Sequence, residues 1–336
     1  MRPPDFWSRT DAAARLTSAI LAPLGWVYGA SVAYRVRRTR PFRSRAKVIC
    51  VGNLTVGGSG KTPIAMEIAR LLLGRGSRVV FLTRGYGGRA RRPRLVAASD
   101  RCSDVGDEPL LLAAVAPVIV SGDRAAGARL ADEQGFDVIV MDDGHQNFSL
   151  AKDLSFVVIA AGSRFGNGRM LPAGPLREPV TQGLRRADAV IIHGDGPSPV
   201  DQSLPLIESR LVPRDNVSWT KRRVLAFAGI ANPERFFALL SKLGANVVEV
   251  RAFADHHPYS SAEIKQLKSR ALAENALLVT TEKDFVRLSV LERDGIEKLD
   301  VRVEFEQPEV IARLLDQVQE RGGSLVRVER DGSSRT

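Results

Sequence analysis

Cysteine and histidine are scarce in this sequence, whose 336 residues include two cysteines and four histidines. Cys50 and Cys102 are too few for a disulfide framework or a thiolate metal cluster. The histidines are too scattered along the chain to show a metal-ligand spacing. So little cysteine favours a reducing compartment, the cytoplasm.

Acidic residues are outnumbered by basic ones, and the formal net charge is +11. Such a surplus favours acidic partners, namely nucleic acids, phosphorylated substrates or anionic membrane surfaces. Seven Arg or Lys lie in residues 35–47, which contain no acid. A run of this kind next to an apolar segment suits an anionic membrane surface.

Charge of either sign is absent from residues 16–34, the segment that precedes the basic run. The segment is nearly long enough to span a bilayer, but Pro23, glycines, serines and a threonine dilute it. Trp26 and Tyr34 are typical of the headgroup region. We predict an interfacial helix that lies on or dips into the membrane. A buried core helix and an uncleaved signal-like segment are the alternatives.

From residue 47 onwards, strand-like and helical segments alternate. This pattern predicts an α/β fold of the P-loop NTPase type, with a mostly parallel sheet flanked by helices. The predicted strands are 47–52, 78–83, 117–121, 137–142, 155–160 and 189–193, and the predicted helices are 62–73, 108–115 and 123–134. A second alternation contains a helix at 233–243 and another opened by a capping box at Ser260 and Glu263. The predicted organisation is a membrane-associating helix and basic segment at 1–46, a P-loop core domain at 47–205, a smaller C-terminal α/β domain at 206–330 and a tail at 331–336.

The stretch "VICVGNLTVGGSGKTP", residues 48–63, has the form strand, glycine loop, Lys-Thr and helix. In such a loop the backbone N–H groups and the helix N-terminus face phosphate oxygens. Lys61 would neutralise the terminal phosphates, and Thr62 would offer its hydroxyl to Mg²⁺. Thr55 stands where the usual pattern has glycine, and an ordinary strand-turn-helix is the alternative. The predicted nucleotide-binding residues are Thr55, Val56, Gly57, Gly58, Ser59, Gly60, Lys61 and Thr62.

About 80 residues further on, "FDVIVMDDGHQ" is an apolar strand that ends in Asp142 and Asp143. Either carboxylate at this sheet edge can hold Mg²⁺ beside a phosphate loop, although strands often stop at an acid. The guanine-specific element of this fold is Asn/Thr-Lys-x-Asp, and "TEKD" at 281–284 has another order. Adenine is then the expected base.

Several motifs have no general use outside one family. They are "VGNLTVGGSGKTP", "LTRGYGG", "VGDEPLLLA", "VMDDGHQ", "LPAGPLREP", "FADHHPYS" and "TTEKDFVRL", in that order. With them the sequence resembles the tetraacyldisaccharide 4′-kinase family, the lipid A kinases. The resemblance implies phosphoryl transfer from ATP to the 4′-hydroxyl of an acylated disaccharide lipid. It also implies a place at the cytoplasmic face of the inner membrane. We expect no nucleic-acid partner and a monomeric chain.

The resemblance implies that Asp107 and His256 form an acid–base pair, and that Lys61 completes the catalytic set. A carboxylate can orient an imidazole, and an imidazole titrates near neutrality. From the residues alone, a helix N-cap for Asp107 and a loop hydrogen bond for His256 are the alternatives. The two residues belong to different predicted domains, so the active site is expected in the cleft between them.

Five further residues are candidates for the site. Arg84 can contact phosphate and Tyr86 can pack on the substrate sugar, although "RGYGG" also reads as a plain turn. Arg177 and Glu178, bracketed by prolines, are predicted to present an ion pair on a rigid loop. The resemblance places this loop near nucleotide and metal, with Arg177 as a substrate contact and Glu178 as a metal ligand. A surface salt bridge is the alternative for that pair. Asn147, a candidate substrate contact, stands where the family often has histidine; asparagine can keep a hydrogen bond but cannot carry charge.

Two other functions compete with a kinase. A nucleotide-switch protein, such as a metallochaperone GTPase of this P-loop branch, would need a guanine-specificity element and a Cys/His cluster. A non-enzymatic membrane-associated module with a relic phosphate loop would not need Lys61, Thr62 and Asp142 intact. The sequence therefore favours the kinase over both.

Overall fold

The computed structural model of the protein describes residues 4–90, 92–161, 165–196, 198, 200, 204–214 and 217–323. In these residues the chain forms two sheets with flanking helices and a long N-terminal helix, which confirms the predicted α/β fold. The strands are β1 (Lys47–Gly52), β2 (Val79–Thr83), β3 (Arg94–Leu95), β4 (Val118–Val120), β5 (Val138–Asp142), β6 (Leu154–Ala160), β7 (Ala189–His193), β8 (Leu206–Pro213), β9 (Arg223–Ala228), β10 (Asn246–Ala252), β11 (Leu277–Thr281), β12 (Ile296–Leu299) and β13 (Val301–Phe305). The helices are α1 (Ala12–Arg38), α2 (Lys61–Gly74), α3 (Cys102–Val105), α4 (Asp107–Leu112), α5 (Arg124–Glu133), α6 (Val180–Leu184), α7 (Pro233–Lys242), α8 (Ser261–Ala273), α9 (Glu282–Phe285), α10 (Val290–Arg293) and α11 (Pro308–Gly323).

The large sheet has the strand order β13-β8-β7-β6-β1-β5-β2-β4-β3. Its strands run parallel except at the two edges, where β13 pairs with β8 and β3 pairs with β4 in antiparallel fashion. Ile49 and Val51 of β1 pack on one face with α2, while Val48 and Cys50 pack on the other face with α5. Burial on both faces explains why the strands read as continuous apolar runs. Each strand predicted between residues 47 and 193 forms within one residue of its predicted bounds.

The small sheet has the order β10-β9-β11-β12, and all its neighbouring strands are parallel. The predicted capping box opens α8: Ser260 Oγ accepts from the Glu263 N–H at 3.3 Å, and Glu263 Oε2 accepts from the Ser260 N–H at 2.8 Å. Residues 223–299 thus form a second unit with its own core. We call it the small unit, and the rest of the chain after residue 46 the large unit.

The predicted domain boundary after residue 205 does not match the sheets. Strand β8 pairs with β7 in the large sheet, and β13 returns from the small unit to pair with β8. Helix α11 then buries Ile311 and Leu315 in the same core as α2. The polar stretch at 193–205 connects two parallel strands of one sheet, and composition alone does not distinguish such a connection from a linker. The predicted tail at 331–336 lies outside the described residues.

Helix α1 is 27 residues long and starts at an Asp11 cap, whose Oδ1 accepts from the Ala14 N–H at 3.0 Å. Its small residues face the protein: Ser18, Gly25 and Gly29 are buried. A Cβ added at Gly29 would clash with Met170 of the loop at residues 165–176. We call this loop the seat of α1. Three of the residues that dilute the apolar segment therefore form its contact with the protein.

The opposite face of α1 is apolar and exposed. Leu16, Ile20 and Val27 are between 63% and 69% exposed. Among the described residues, α1 is the one helix that is long and apolar enough, by length and composition, to cross a membrane. A helix of this length spans about 40 Å, compared with about 30 Å for a hydrocarbon core. The prediction of an interfacial helix thus stays compatible with the structure, and so does a crossing one.

Candidate active site

The loop between β1 and α2 has the backbone of a phosphate-binding loop. Gly57 and Gly60 lie in the left-handed region, with φ of 120° and 83°. Glycine adopts such angles without the steric cost that other residues bear. Helix α2 begins at Lys61, directly after Gly60, so its free N–H groups and the positive end of its dipole face the loop. The loop and helix together form a site for an anion.

Thr55 does not need to be glycine in this structure. It forms a β-bridge with Leu176 of the seat. Its neighbour Val56 donates its N–H to Pro175 O at 2.8 Å. The first half of the loop is thus paired with extended backbone, which any residue can adopt, so the departure from the usual pattern leaves the later glycines in place.

Two buried polar side chains that were not predicted as site residues hold the loop from below. Asn53 Nδ2 donates to the Ser59 hydroxyl at 2.9 Å. His193 ends β7, and a Cβ added at Gly60 would clash with its ring. Burial lowers the pKa of His193 to about 4, so the ring is neutral at pH 7. Its position at the carboxyl end of a buried strand is the sequence signal that could have revealed it.

Asp142, at the end of β5, faces the start of α2. Its Oδ2 accepts from the Thr62 hydroxyl at 3.0 Å. Its Oδ1 is buried and has no hydrogen-bond partner among the described residues. Burial, and next the negative charge of Glu108, raise the pKa of Asp142 to about 7. A buried carboxylate oxygen without a hydrogen-bond partner and the hydroxyl next to it form a pair of donors suited to a cation.

The neighbouring Asp143 has a different environment. Its Oδ1 accepts from Arg177 at 2.8 Å and lies 3.8 Å from Lys61 Nζ. Although burial alone would raise the pKa of Asp143, the charges of Lys61 and Arg177 lower it. Its backbone is left-handed, with φ of 51°, a strained state that functional sites retain. Asp143 therefore orients two cationic side chains, whereas Asp142 has one oxygen without a hydrogen-bond partner in the part of the chain that the structure describes.

These residues fit a magnesium ion without a protein cage. No group of three or more His, Cys, Asp or Glu side chains in the described part of the chain could hold a metal ion. Mg²⁺, however, is commonly bound by one or two protein oxygens together with substrate phosphates and water. The free oxygen of Asp142 and the hydroxyl of Thr62 are donors of this kind.

Asp107 and His256 meet across the cleft between the two units. His256 Nδ1 lies 2.8 Å from Asp107 Oδ2. Burial alone would raise the pKa of Asp107, but the hydrogen bond from His256 and the charges of Lys283 and Arg287 hold it well below its ordinary value. Because an ionised carboxylate only accepts hydrogen bonds, Nδ1 carries a ring proton, while Nε2 lies 3.4 Å from Lys283 Nζ. The structure thus brings together the pair that the resemblance implied.

The cleft also joins the pair to the phosphate loop. His256 has a left-handed backbone, with φ of 59°, and its N–H donates to Gly229 O at 3.1 Å. Ala231, two residues after Gly229, packs on the phosphate loop, with its Cβ 3.2 Å from where a Cβ of Gly58 would be. The loop at residues 229–231 therefore touches both halves of the site.

Tyr86 forms the lip of the cleft. It is 70% exposed, and its ring centroid lies 5.9 Å from that of His256. A Cβ on Gly106 would clash with Tyr86 O, so the backbones of the "RGYGG" and "GDEP" loops approach closely at this glycine. Arg84 is exposed beside them.

The family model described as LpxK, tetraacyldisaccharide-1-P 4′-kinase, matches residues 17–319. The chain belongs to the tetraacyldisaccharide 4′-kinase family. Proteins named tetraacyldisaccharide 4′-kinase from Paramagnetospirillum magneticum and Rhodospirillum centenum are each 46% identical to it. The first alignment covers 95% of this chain and 99% of the relative, and the second covers 94% and 96%. A crystal structure of LpxK from Aquifex aeolicus in complex with ATP has a TM-score of 0.76 and 29% identity, and the match covers 90% of this chain and 99% of that chain.

The predicted ion pair between Arg177 and Glu178 is not formed in this family member. Arg177 pairs with Asp143, whereas Glu178 is buried and pairs with Arg186. The other oxygen of Glu178 accepts from Gln146 Nε2 at 2.9 Å. The two neighbouring side chains therefore have different partners. Both oxygens of Glu178 are thus engaged by the protein, and this favours an anchoring role over the predicted role as a metal ligand.

Asn147 forms a turn next to the site of this tetraacyldisaccharide 4′-kinase family member. Its Oδ1 accepts from the Ser149 hydroxyl at 3.1 Å, and its N–H donates to Gly144 O at 2.9 Å. His145, two residues earlier, is fully buried, and burial lowers its pKa to about 3. The histidine of this segment is therefore a neutral core residue and does not replace the family's histidine at position 147.

Three charged residues close to the site of this family member had no predicted role. Lys283 Nζ lies 3.4 Å from His256 Nε2 and 3.4 Å from Asp255 Oδ1. Arg287 contacts Asp107. Arg124 starts α5 at the same sheet edge, and its buried Nε has no partner among the described residues. Lys283 and Arg287 belong to "TTEKDFVRL", so the motif was visible in the sequence, but only the fold shows that it faces Asp107.

Proposed function

We propose that the protein transfers the γ-phosphoryl group of ATP to the 4′-hydroxyl of tetraacyldisaccharide 1-phosphate, a step of lipid A and lipopolysaccharide biosynthesis. The observation that carries this proposal is the hydrogen bond between Asp107 and His256 beside the phosphate loop. A phosphate loop alone is common to many NTPases, whereas an aligned base beside it suits an alcohol acceptor. Family membership and the ATP complex of the Aquifex relative support the choice of donor and acceptor.

The proposed chemistry follows from the roles of the side chains. His256 Nε2 accepts the proton of the 4′-hydroxyl as its oxygen attacks the γ-phosphorus. The bond between that phosphorus and the β–γ bridging oxygen breaks, and ADP leaves. Asp107 stays ionised and stabilises the imidazolium through Nδ1. Lys61 and the N-terminus of α2 neutralise the charge on the transferred group.

We assign Mg²⁺ to Asp142 and Thr62. When bound, Mg²⁺ neutralises charge on the β- and γ-phosphate oxygens. Asp143 is proposed to hold Lys61 and Arg177 in position at the edge of this site. Glu178 is proposed to anchor the loop that carries Arg177, because both of its oxygens are engaged.

Magnesium-dependent ATP binding should weaken below pH 7. Asp142 has a pKa of about 7 without a cation, so at lower pH the cation must displace a proton from it. Affinity is expected to fall by about tenfold per pH unit below 7 and to be constant above it. The measurement is ATP affinity in Mg²⁺ from pH 6 to 8. The control is Asp142→Asn, in which ATP still titrates but position 142 does not. If ATP affinity depended on pH as steeply in this variant as in the unsubstituted protein, the assignment would be contradicted.

The substrate side of the site is proposed to be Arg84 and Tyr86, at the open lip next to His256. Tyr86 offers an aromatic face to a sugar ring, and Arg84 offers a cation to a phosphate. Arg177 is proposed to support the substrate side through its ion pair with Asp143, and Asn147 is proposed to support it through the turn that it forms.

We place the protein at the cytoplasmic face of the inner membrane, as a peripheral or monotopic protein. The exposed apolar face of α1 and the basic run that follows it support this location. A cavity of about 610 Å³ between α1 and the seat, lined by Gly25, Trp26, Met170 and Leu176 among others, offers a mostly apolar space beside the membrane for part of an acyl chain.

Replacing Leu16, Ile20 and Val27 together by serine should release the protein from vesicles. These side chains are exposed on one face of α1, whereas Gly25 and Gly29 lie on its buried face, so the fold and nucleotide affinity should be retained. Losing three apolar contacts should weaken membrane binding by about 100-fold or more. Sedimentation with anionic vesicles at low and high salt measures this.

The matched control replaces Leu272 and Leu291, which are 82% and 88% exposed on the small unit. Their replacement by serine should leave sedimentation unchanged. Equal loss in both variants would show that general surface hydrophobicity, and not α1, holds the protein to membranes.

The proposed function is tested by turnover. Purified protein, Mg²⁺-ATP and tetraacyldisaccharide 1-phosphate in detergent should give the bisphosphorylated lipid. Absence of product with a folded, ATP-binding protein would refute the proposal. A preference for GTP over ATP in binding would favour the nucleotide switch instead.

A further inference from the structure

Arg287 connects the two units through a buried set of hydrogen bonds. Its Nε donates to Asp107 Oδ2 at 2.8 Å, and a second guanidinium nitrogen donates to the same oxygen. Its third nitrogen donates to Gly229 O at 2.8 Å and to Asp284 Oδ1 at 2.7 Å. The side chain is 6% exposed. The planar guanidinium therefore fixes the large unit, through Asp107, relative to two points of the small unit.

The small-unit end of this clamp is rigid. Asp284 is fully buried, and its Oδ1 also accepts from the Gly229 N–H and the Tyr259 hydroxyl, both at 3.0 Å. Its Oδ2 accepts from the Thr281 hydroxyl at 2.6 Å. Asp284 is thus satisfied within its own unit, and its contact with Arg287 serves to aim the guanidinium outward at Asp107.

Arg287 acts on both members of the acid–base pair. Asp107 Oδ1 is held by the Glu108 N–H at 2.9 Å, so with Arg287 on Oδ2 the carboxylate cannot rotate away from His256. Gly229 O accepts from Arg287 and also from the backbone N–H of His256. One arginine therefore fixes the carboxylate directly and the imidazole through its backbone.

We propose that Arg287 is the positioning residue of the Asp107–His256 pair and holds the two units closed around it. This inference rests on the proposed phosphoryl transfer. The proposal assigns Arg287 no contact with nucleotide or acceptor. It acts through Asp107, and its loss removes alignment while the phosphate loop stays intact.

The test compares Arg287→Gln, Arg287→Lys and Arg293→Gln in the full-length protein. Arg293 lies in the same segment and donates to the carbonyls of Phe285 and Val286, so it controls for loosening of that segment. Arg287→Gln is expected to lower kcat by about 100-fold and Arg287→Lys by about tenfold, with KM for ATP changed by less than about threefold. Arg293→Gln should stay within about twofold of the unsubstituted protein.

A second arm separates positioning from mere stability. In an Asp107→Ala background, Arg287→Gln should lower kcat by less than about threefold more, because its effect passes through Asp107. Independent, multiplicative losses would overturn the proposal. A loss of kcat in Arg293→Gln as large as that in Arg287→Gln would also overturn it, and so would full activity of Arg287→Lys.

A third arm needs no lipid substrate. Amide hydrogen exchange of residues 229–231 and 254–257 should be faster in Arg287→Gln and Arg287→Lys than in Arg293→Gln. If the unsubstituted protein fails to phosphorylate the lipid, the proposed function fails. Unchanged exchange in both Arg287 variants refutes the clamp separately, whether or not turnover is found.

Discussion

Lys61→Ala is expected to lower kcat by about 10²–10³-fold or more, with the fold intact, because the charge of Lys61 acts mainly on the transferred phosphoryl group. Lys61 starts α2 and lies 3.8 Å from Asp143 Oδ1, so it is held at the point where the phosphate loop meets the carboxylates. Without it, two aspartates face the triphosphate with less positive charge. The measurement is kcat at saturating Mg²⁺-ATP together with the thermal midpoint.

Lys242→Ala provides the control for Lys61→Ala. Lys242 pairs with Asp195 on the surface, with a side chain that is mostly exposed, and its removal should leave kcat unchanged. Lys61→Arg keeps the charge but changes its reach, and it should fall between the alanine variant and the unsubstituted protein. Unchanged turnover in Lys61→Ala would rule out the role assigned to this lysine.

Asp107→Ala and His256→Ala are each expected to lower kcat by about 10²–10⁴-fold, the range for a lost general base or its partner. Because the two side chains work as a pair, the double variant should be less than about threefold worse than the poorer single variant. The measurement is single-turnover phosphoryl transfer to the lipid, which isolates the chemical step from product release.

His257→Ala is the matched control for the pair. This neighbouring histidine also bonds a carboxylate, Glu263 Oε1 at 3.0 Å, but it does so within the small unit. Its replacement should leave the chemical step within about twofold of the unsubstituted protein. Multiplicative losses in the Asp107 and His256 double variant would contradict a shared role.

The large sheet was predictable from sequence because its strands are buried on both faces and are punctuated by Gly, Pro and Asp. The phosphate loop and the strand ending in Asp142 were also predictable, since each combines a local pattern with a required context. The pairing of Asp107 with His256 was not predictable from residues alone: they are 149 positions apart and meet only through the arrangement of the two units. The family resemblance supplied that contact.

Three features depended on tertiary structure that the chain does not display locally. The return of β13 and α11 to the large unit is set by strand pairing, so composition placed the boundary elsewhere. Glu178 was predicted as a metal ligand, but in the structure Arg186 and Gln146 engage both of its oxygens. Arg287 is an ordinary basic residue in the sequence, and its importance comes from burial between two carboxylates.

The seat of α1 has a consequence for the setting in which this protein works. The same short segment packs Met170 against Gly29 of the apolar helix and pairs Leu176 with Thr55 of the nucleotide loop. Bilayers of different thickness change the tilt of an embedded helix. With α1 embedded as proposed, this segment would connect lipid composition mechanically to the nucleotide loop. We therefore expect the nucleotide response of the enzyme in detergent micelles to differ from its response in native lipids.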